Sequence, residues 1–229
     1  MKTALEHPVS GRLVLLAGGT SASGFASAKA LLKRGAQVII VGRDAGKLAR
    51  CRDELPQAHV QRADLSSEES VAELRRRVFD TWGPVDGVLH LVGGWSGGGG
   101  LAGQTDEAYR SLESSLSALR HVSRAFDADL RLSSAGRTAI VSSVVVSRPT
   151  GGSANYAALK SAAETWMHAV DHGLRAHGLN EDGEVRSFGA VFRVRSLAGI
   201  EEVLAESFAD LWNRDAAPTG LVVTELHAG

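Results

Sequence analysis

At 229 residues, with 44% hydrophobic and 22% charged side chains, the chain is long enough to bury one substantial core. A net charge of −1 offers no basic field for nucleic acid and no polybasic surface for a membrane, and the longest apolar runs fall far short of a bilayer span. The single cysteine, Cys51, excludes an internal disulfide and fits a reducing compartment, so a cytoplasmic location is expected.

A short polar lead precedes an apolar run that enters glycines, the pattern of a first buried strand and not of a secretory signal. Strands are predicted at residues 12–17, 37–41, 59–62, 87–92, 138–142, 185–192 and 221–224. Helical periodicity lies between them, near 24–34, 44–54, 67–80, 105–131, 155–177 and 199–213. Short, nearly all-apolar strands alternating with amphipathic helices point to a parallel sheet covered on both faces. Right-handed crossovers then make a Rossmann-like doubly wound α/β fold of about seven strands, order 3-2-1-4-5-6-7, as one domain over residues 1–229. Ligands in such folds sit beyond the carboxyl ends of the strands, so the loops there carry the chemistry.

After strand one, Gly18, Gly19 and Gly24 are interleaved with Thr20, Ser21 and Ser23, and Phe25 begins an apolar-periodic helix. Glycines let backbone amides approach a pyrophosphate, the hydroxyls add donors, and the helix N-terminus favours negative charge. A plain glycine turn with a helix cap would read similarly; its place between a buried strand and a helix favours the phosphate cradle. After strand two, Arg43 lies 19 residues past Gly24, where NAD-type sites carry an acid. A guanidinium suits a 2′-phosphate, so NADP(H) is expected over NAD(H), while Asp44 is expected to cap the next helix. Asp64 and Leu65 end strand three, Asp64 being either a cap or a partner for the adenine amino group.

The segment after strand four holds six glycines within residues 93–100. It combines an ordered Gly93–Gly94 beside the cofactor with a flexible lid from Ser96 to Gly103; Trp95 between them either closes over a substrate ring or packs half-buried. His90, inside the strand, is expected to be a satisfied core histidine. After strand five, Ser143 stands 13 residues before Tyr156, and Lys160 follows Tyr156 by one helical turn.

These features together resemble the classical short-chain dehydrogenase/reductase family over nearly the whole chain. The resemblance rests on Gly18 to Gly24, Asp64–Leu65, Val92–Gly93–Gly94, Ser143, Tyr156-x-x-x-Lys160 and the C-terminal Thr219–Gly220 leading into a last strand. It implies Tyr156 as general acid/base, Lys160 as its partner and a ribose ligand, and Ser143 as the group that orients the substrate oxygen. The substrate would be a small carbonyl or alcohol exchanging hydride with the nicotinamide, and the assembly a homodimer or homotetramer. A free tyrosine titrates near pH 10, and a neighbouring ammonium is expected to lower that value.

The sequence also departs from the family pattern. Ala17 and Ala22 replace a Thr and a Gly of the glycine turn, and His90 and Leu91 replace asparagines of the strand-four motif. Ser115 takes the place of a catalytic Asn that supports a proton-relay water. The stretch 192–197 replaces Pro-Gly and a later Thr, with the substrate-covering region after strand six reduced. Glu164, His168 and His172 form an i, i+4, i+8 ladder read as a solvated or subunit-facing stripe, without a metal. The leading expectation is an NADP(H)-dependent carbonyl reductase or alcohol dehydrogenase. The alternative is a non-catalytic NADP(H)-binding sensor or assembly protein on the same fold.

Overall fold

A computed structural model describes residues 7–177, 183–213 and 218–228; residues 1–6 of the predicted polar lead lie outside it. Seven strands form one sheet in the order β3-β2-β1-β4-β5-β6-β7, with every neighbouring pair parallel. They are β1 Leu13–Ala17, β2 Gln37–Gly42, β3 His59–Arg62, β4 Gly87–His90, β5 Arg137–Ser143, β6 Phe188–Val194 and β7 Val222–Leu226. The helices are α1 Ala22–Lys33, α2 Ala45–Glu54, α3 Glu68–Trp82, α4 Asp106–Leu132, α5 Ala154–His177 and α6 Glu201–Ala209. The expected doubly wound fold is the observed one.

Strand alternation explains the two-sided core. Val14, Leu16, Val38 and Ile40 point to a layer containing Leu31 of α1, Leu48 of α2 and Phe208 of α6. Leu13, Leu15, Ile39 and Val41 point the other way, to Leu74 of α3, Phe126 of α4 and Leu174 of α5. A strand buried on both faces needs apolar residues at successive positions, which is why β1 is buried throughout. Four helices begin on short polar caps whose oxygens accept amides of the first turn: Ser21, Asp44, Ser67 and Thr105. The expected Asp44 cap is among them, accepting from the Lys47 amide at 2.8 Å.

Boundaries shift where the site is built. Strand four was expected to run to residue 92 but ends at His90; the Leu91 amide still donates to Ala17 at 2.8 Å before the chain leaves the sheet. Strand six, expected over 185–192, instead covers Phe188–Val194, because its last two residues pair in register with Ser142 and Ser143. The helix expected over 199–213 tightens into a 3₁₀ turn from Asp210. There the Leu211 carbonyl accepts from the buried Arg137 guanidinium at 3.0 Å, and Trp212 Nε1 donates to Ala135 at 2.9 Å.

Candidate active site

The site lies in the crevice where the sheet order reverses, between the carboxyl ends of β1 and β4. The glycine turn leaves β1 with Gly18 at φ +78°, a left-handed conformation natural to glycine. A Cβ on Gly24 would stand 2.2 Å from the Gly19 carbonyl oxygen, so α1 packs on the turn at a distance that only glycine permits. Ser21 caps the helix by accepting from the Gly24 amide at 3.2 Å. The first-turn amides of Ala22 and Ser23 have no partner within the helix, so this end carries partial positive charge that favours an anion.

Gly18, Thr20, Ser21, Arg43, Asp64 and Leu65 border one cleft of about 310 Å³, together with Val92 and Gly93. Lys47, one turn into α2, joins Arg43 there, giving the cleft two cations where sequence reasoning singled out one. Its place in the first turn of the helix that Asp44 caps, directly after Arg43, was the available signal. Asp64 accepts both the Ser66 amide at 3.0 Å and its hydroxyl at 2.6 Å, and these bonds hold its carboxyl below the usual range. Phe25 borders a separate recess beyond Thr20 and Ser21, alongside Lys47 and Arg50. Ser23 and Gly24 are buried beneath the turn; the expected Ser23 donor is a packing group of α1, off the cleft wall.

Past Gly93 the crevice widens into a cleft of about 470 Å³, lined by Gly94, Trp95, Tyr156, Lys160 and Arg195. Lys160 Nζ donates to the Val141 carbonyl at 2.7 Å and lies 5.7 Å from the centre of the Tyr156 ring. Ser143, buried at the end of β5, presents its hydroxyl to the Tyr156 phenol. Burial pushes the Tyr156 phenol up from its usual value, and Ser143 offsets part of that rise. This corrects the expectation that Lys160 lowers it: the ammonium sits beside the ring and is directed at a backbone carbonyl instead of the hydroxyl. Burial likewise brings Lys160 down to about 8, with the Glu164 carboxylate working against it.

Three further expectations are corrected. Glu164 belongs to no solvated stripe; it is 8% exposed and takes both guanidinium arms of Arg193, at 3.0 and 2.6 Å, while His168 and His172 are exposed. Trp95 is 68% exposed at the cleft mouth instead of half-buried. His90 is buried, yet among the described residues neither ring nitrogen meets a hydrogen-bond partner, against the expectation of a satisfied core histidine. Ser115 borders a small cavity beside His90 and Lys160. Gln104, which carried no sequence signal, ties the glycine-rich loop together. Its Nε2 donates to Gly98 at 3.0 Å, Gly100 at 3.3 Å and Gly152 at 3.1 Å, and its Oε1 accepts the Asn155 amide at 3.2 Å.

A glycine cradle, a cationic cleft at the second strand and a tyrosine–lysine pair around one switch point define a dinucleotide-binding α/β protein. Residues 12–181 match the profile of the short chain dehydrogenases, and the chain belongs to that family of nicotinamide-dependent oxidoreductases. Over 93 residues, 38% of this chain, it is 37% identical to a provisionally named daunorubicin C-13 ketoreductase of Streptomyces sp. (strain C5), and that stretch spans 32% of the relative's length. It is 24% identical over 173 residues, 75% of each protein, to an uncharacterized oxidoreductase of Staphylococcus haemolyticus. A metagenomic short-chain oxidoreductase crystallised with NADP shares the fold at a TM-score of 0.82 and 22% identity, covering 97% of this chain and all (100%) of the other. Among the described residues no helix is long and apolar enough to cross a membrane.

Proposed function

We propose that this protein is an NADP(H)-dependent carbonyl reductase or alcohol dehydrogenase acting on a small molecule, with Tyr156 as the proton donor and acceptor. The observation that carries the reading is the convergence of Ser143, Tyr156 and Lys160 on one end of the sheet, next to the glycine cradle. The residues suit a dinucleotide: the Gly18–Gly24 turn and the first-turn amides of α1 would receive the pyrophosphate. Arg43 and Lys47 would receive a 2′-phosphate, which supports NADP(H) over NAD(H). When bound, the nicotinamide supplies or accepts the hydride.

The chain's own part is position, charge and a proton. The Ser143 hydroxyl holds the carbonyl oxygen and donates to the charge that develops on it. Tyr156, neutral at physiological pH because burial raises its pKa, delivers its proton to that oxygen. Lys160, anchored on Val141 and charged below about pH 8, would hold the ribose of the bound dinucleotide beside Tyr156. The name of the Streptomyces relative, a ketoreductase, supports carbonyl reduction as the class of reaction.

The test is Tyr156→Phe, assayed with NADPH against a panel of ketones. Loss of a positioned acid predicts a fall in kcat of about 10²–10⁴ with cofactor affinity retained. Undiminished turnover would overturn the assignment. Tight NADPH binding by the wild type with no turnover of any ketone or alcohol would favour the sensor reading instead.

A further inference from the structure

The reaction proposed above leaves one buried group beside the site unused. His90 closes β4, is 5% exposed, and neither Nδ1 nor Nε2 meets a hydrogen-bond partner among the described residues. Buried polar side chains are almost always paired, with protein or with ordered water. The ring borders a cavity of about 30 Å³ whose other polar side chains are Ser115, Tyr156 and Lys160, the remaining side chains being apolar ones such as Leu112 and Leu159. One water needs roughly 10–15 Å³ of such space and at least two polar partners, and both conditions are met. Lys160 brings an unmet demand of its own. An ammonium carries three hydrogens, and Val141 takes one of them.

We propose that His90 is a positioning residue for Lys160, joined to it by one buried water that accepts a hydrogen from the ammonium and donates to the unprotonated nitrogen of the ring. The bridge gives Nζ an acceptor besides Val141 where burial strips bulk water away. It rests on the reading of Tyr156 and Lys160 as the reacting pair. The charges around it have the polarity the bridge needs. Burial, reinforced by the nearby ammonium, keeps the imidazole neutral with a pKa of about 3, and the Ser115 backbone pulls weakly the other way. The groups facing Lys160 are Tyr156 and Glu164 on its own helix, His90 on β4, Ser115 on α4 and the Val141 carbonyl on β5, while Arg193 of β6 is spent on Glu164.

A crystal structure of the free protein, at a resolution that resolves ordered water, decides the first point. A water within hydrogen-bond distance of both a His90 nitrogen and Lys160 Nζ is expected; a dry cavity, or a water touching only one of them, overturns the proposal. The second measurement is the pH profile of kcat/KM for ketone reduction in wild type, His90→Phe and His90→Asn. His90→Phe fills the space without an acceptor, so the limb belonging to Lys160 is expected to move about one unit to lower pH, the scale of one hydrogen bond to a charged group. His90→Asn keeps a polar partner and is expected to return the limb to within a few tenths of a unit of wild type. Superimposable profiles for the Phe variant and wild type overturn the proposal. Unimpaired turnover by Tyr156→Phe would instead defeat the reaction assignment, and the crystallographic question would stand apart from it.

Discussion

A histidine folded into an apolar layer with a pKa of about 3 makes stability depend on pH in a predictable direction. Between pH 6.5 and 3 the unfolded chain binds a proton that the folded ring refuses, so the native state loses ground as pH falls. The loss attributable to His90 is expected to be about 2 kcal/mol at pH 5 relative to pH 7. Urea unfolding of wild type and His90→Asn across that range checks it: the wild type should lose that much more than the variant, and equal slopes would refute the assignment. At this scale the sequence was most legible in placing residues, since Gly18, Arg43, Ser143, Tyr156 and Lys160 stand at or just past the strand ends where they were expected. It was least legible where a role depends on what surrounds the side chain. His90 and Gln104 look ordinary in a string of letters; only the folded chain shows the first without a protein partner among the described residues and gives the second four.

Helix α5 shows how an element sorts residues that the sequence groups together. Tyr156, Lys160, Glu164, His168 and His172 recur every four positions, but a helix turns once in about 3.6 residues, so each step advances roughly 40° around the axis. The row therefore spirals from the cleft, at Tyr156 and Lys160, through the interior at Glu164, to solvent at the histidines. Reading the ladder as one face missed this drift. Glu164 consequently serves two neighbours, the Arg193 guanidinium that ties α5 to β6 and the ammonium one turn back. Glu164→Gln is expected to cost about 2–3 kcal/mol in urea unfolding, because it strands a largely buried guanidinium. The same change removes the charge that supports Lys160, so the Lys160 limb of the activity profile should move below about 8. Unchanged stability and an unchanged limb would show that the pair is incidental.

For the whole molecule, the alternation of short apolar strands and amphipathic helices was enough to reveal the sheet, because a parallel strand buried on both faces has few other ways to look. The ends of β4 and β6 were not, since they are set by pairing with strands distant in sequence. Cofactor binding should be visible as global stabilisation. At a free concentration of 100 Kd, a ligand specific for the native state adds about 2.7 kcal/mol, a rise of about 5–11 °C in Tm for a chain of this size. NADPH is expected to produce that shift at a lower concentration than NADH, and Arg43→Ala should narrow the difference by weakening NADPH alone. Equal curves for the two cofactors in the wild type would remove the assignment of Arg43.

The helix that presents its amides to the cleft is braced from behind by a segment encoded far downstream. Ala26 and Ala30 of α1 close against Ala205 of α6, and Arg34 reaches Glu206 and, at 2.8 Å, Asp210. In a chain emerging from the ribosome the glycine turn would come well before its support. The contact that steadies the turn joins residues 172 to 176 positions apart, the kind of long-range closure that slows folding. The growing protein would thus carry an unbraced turn until α6 had left the exit tunnel, and a ligand of the cleft would meet the finished arrangement only then.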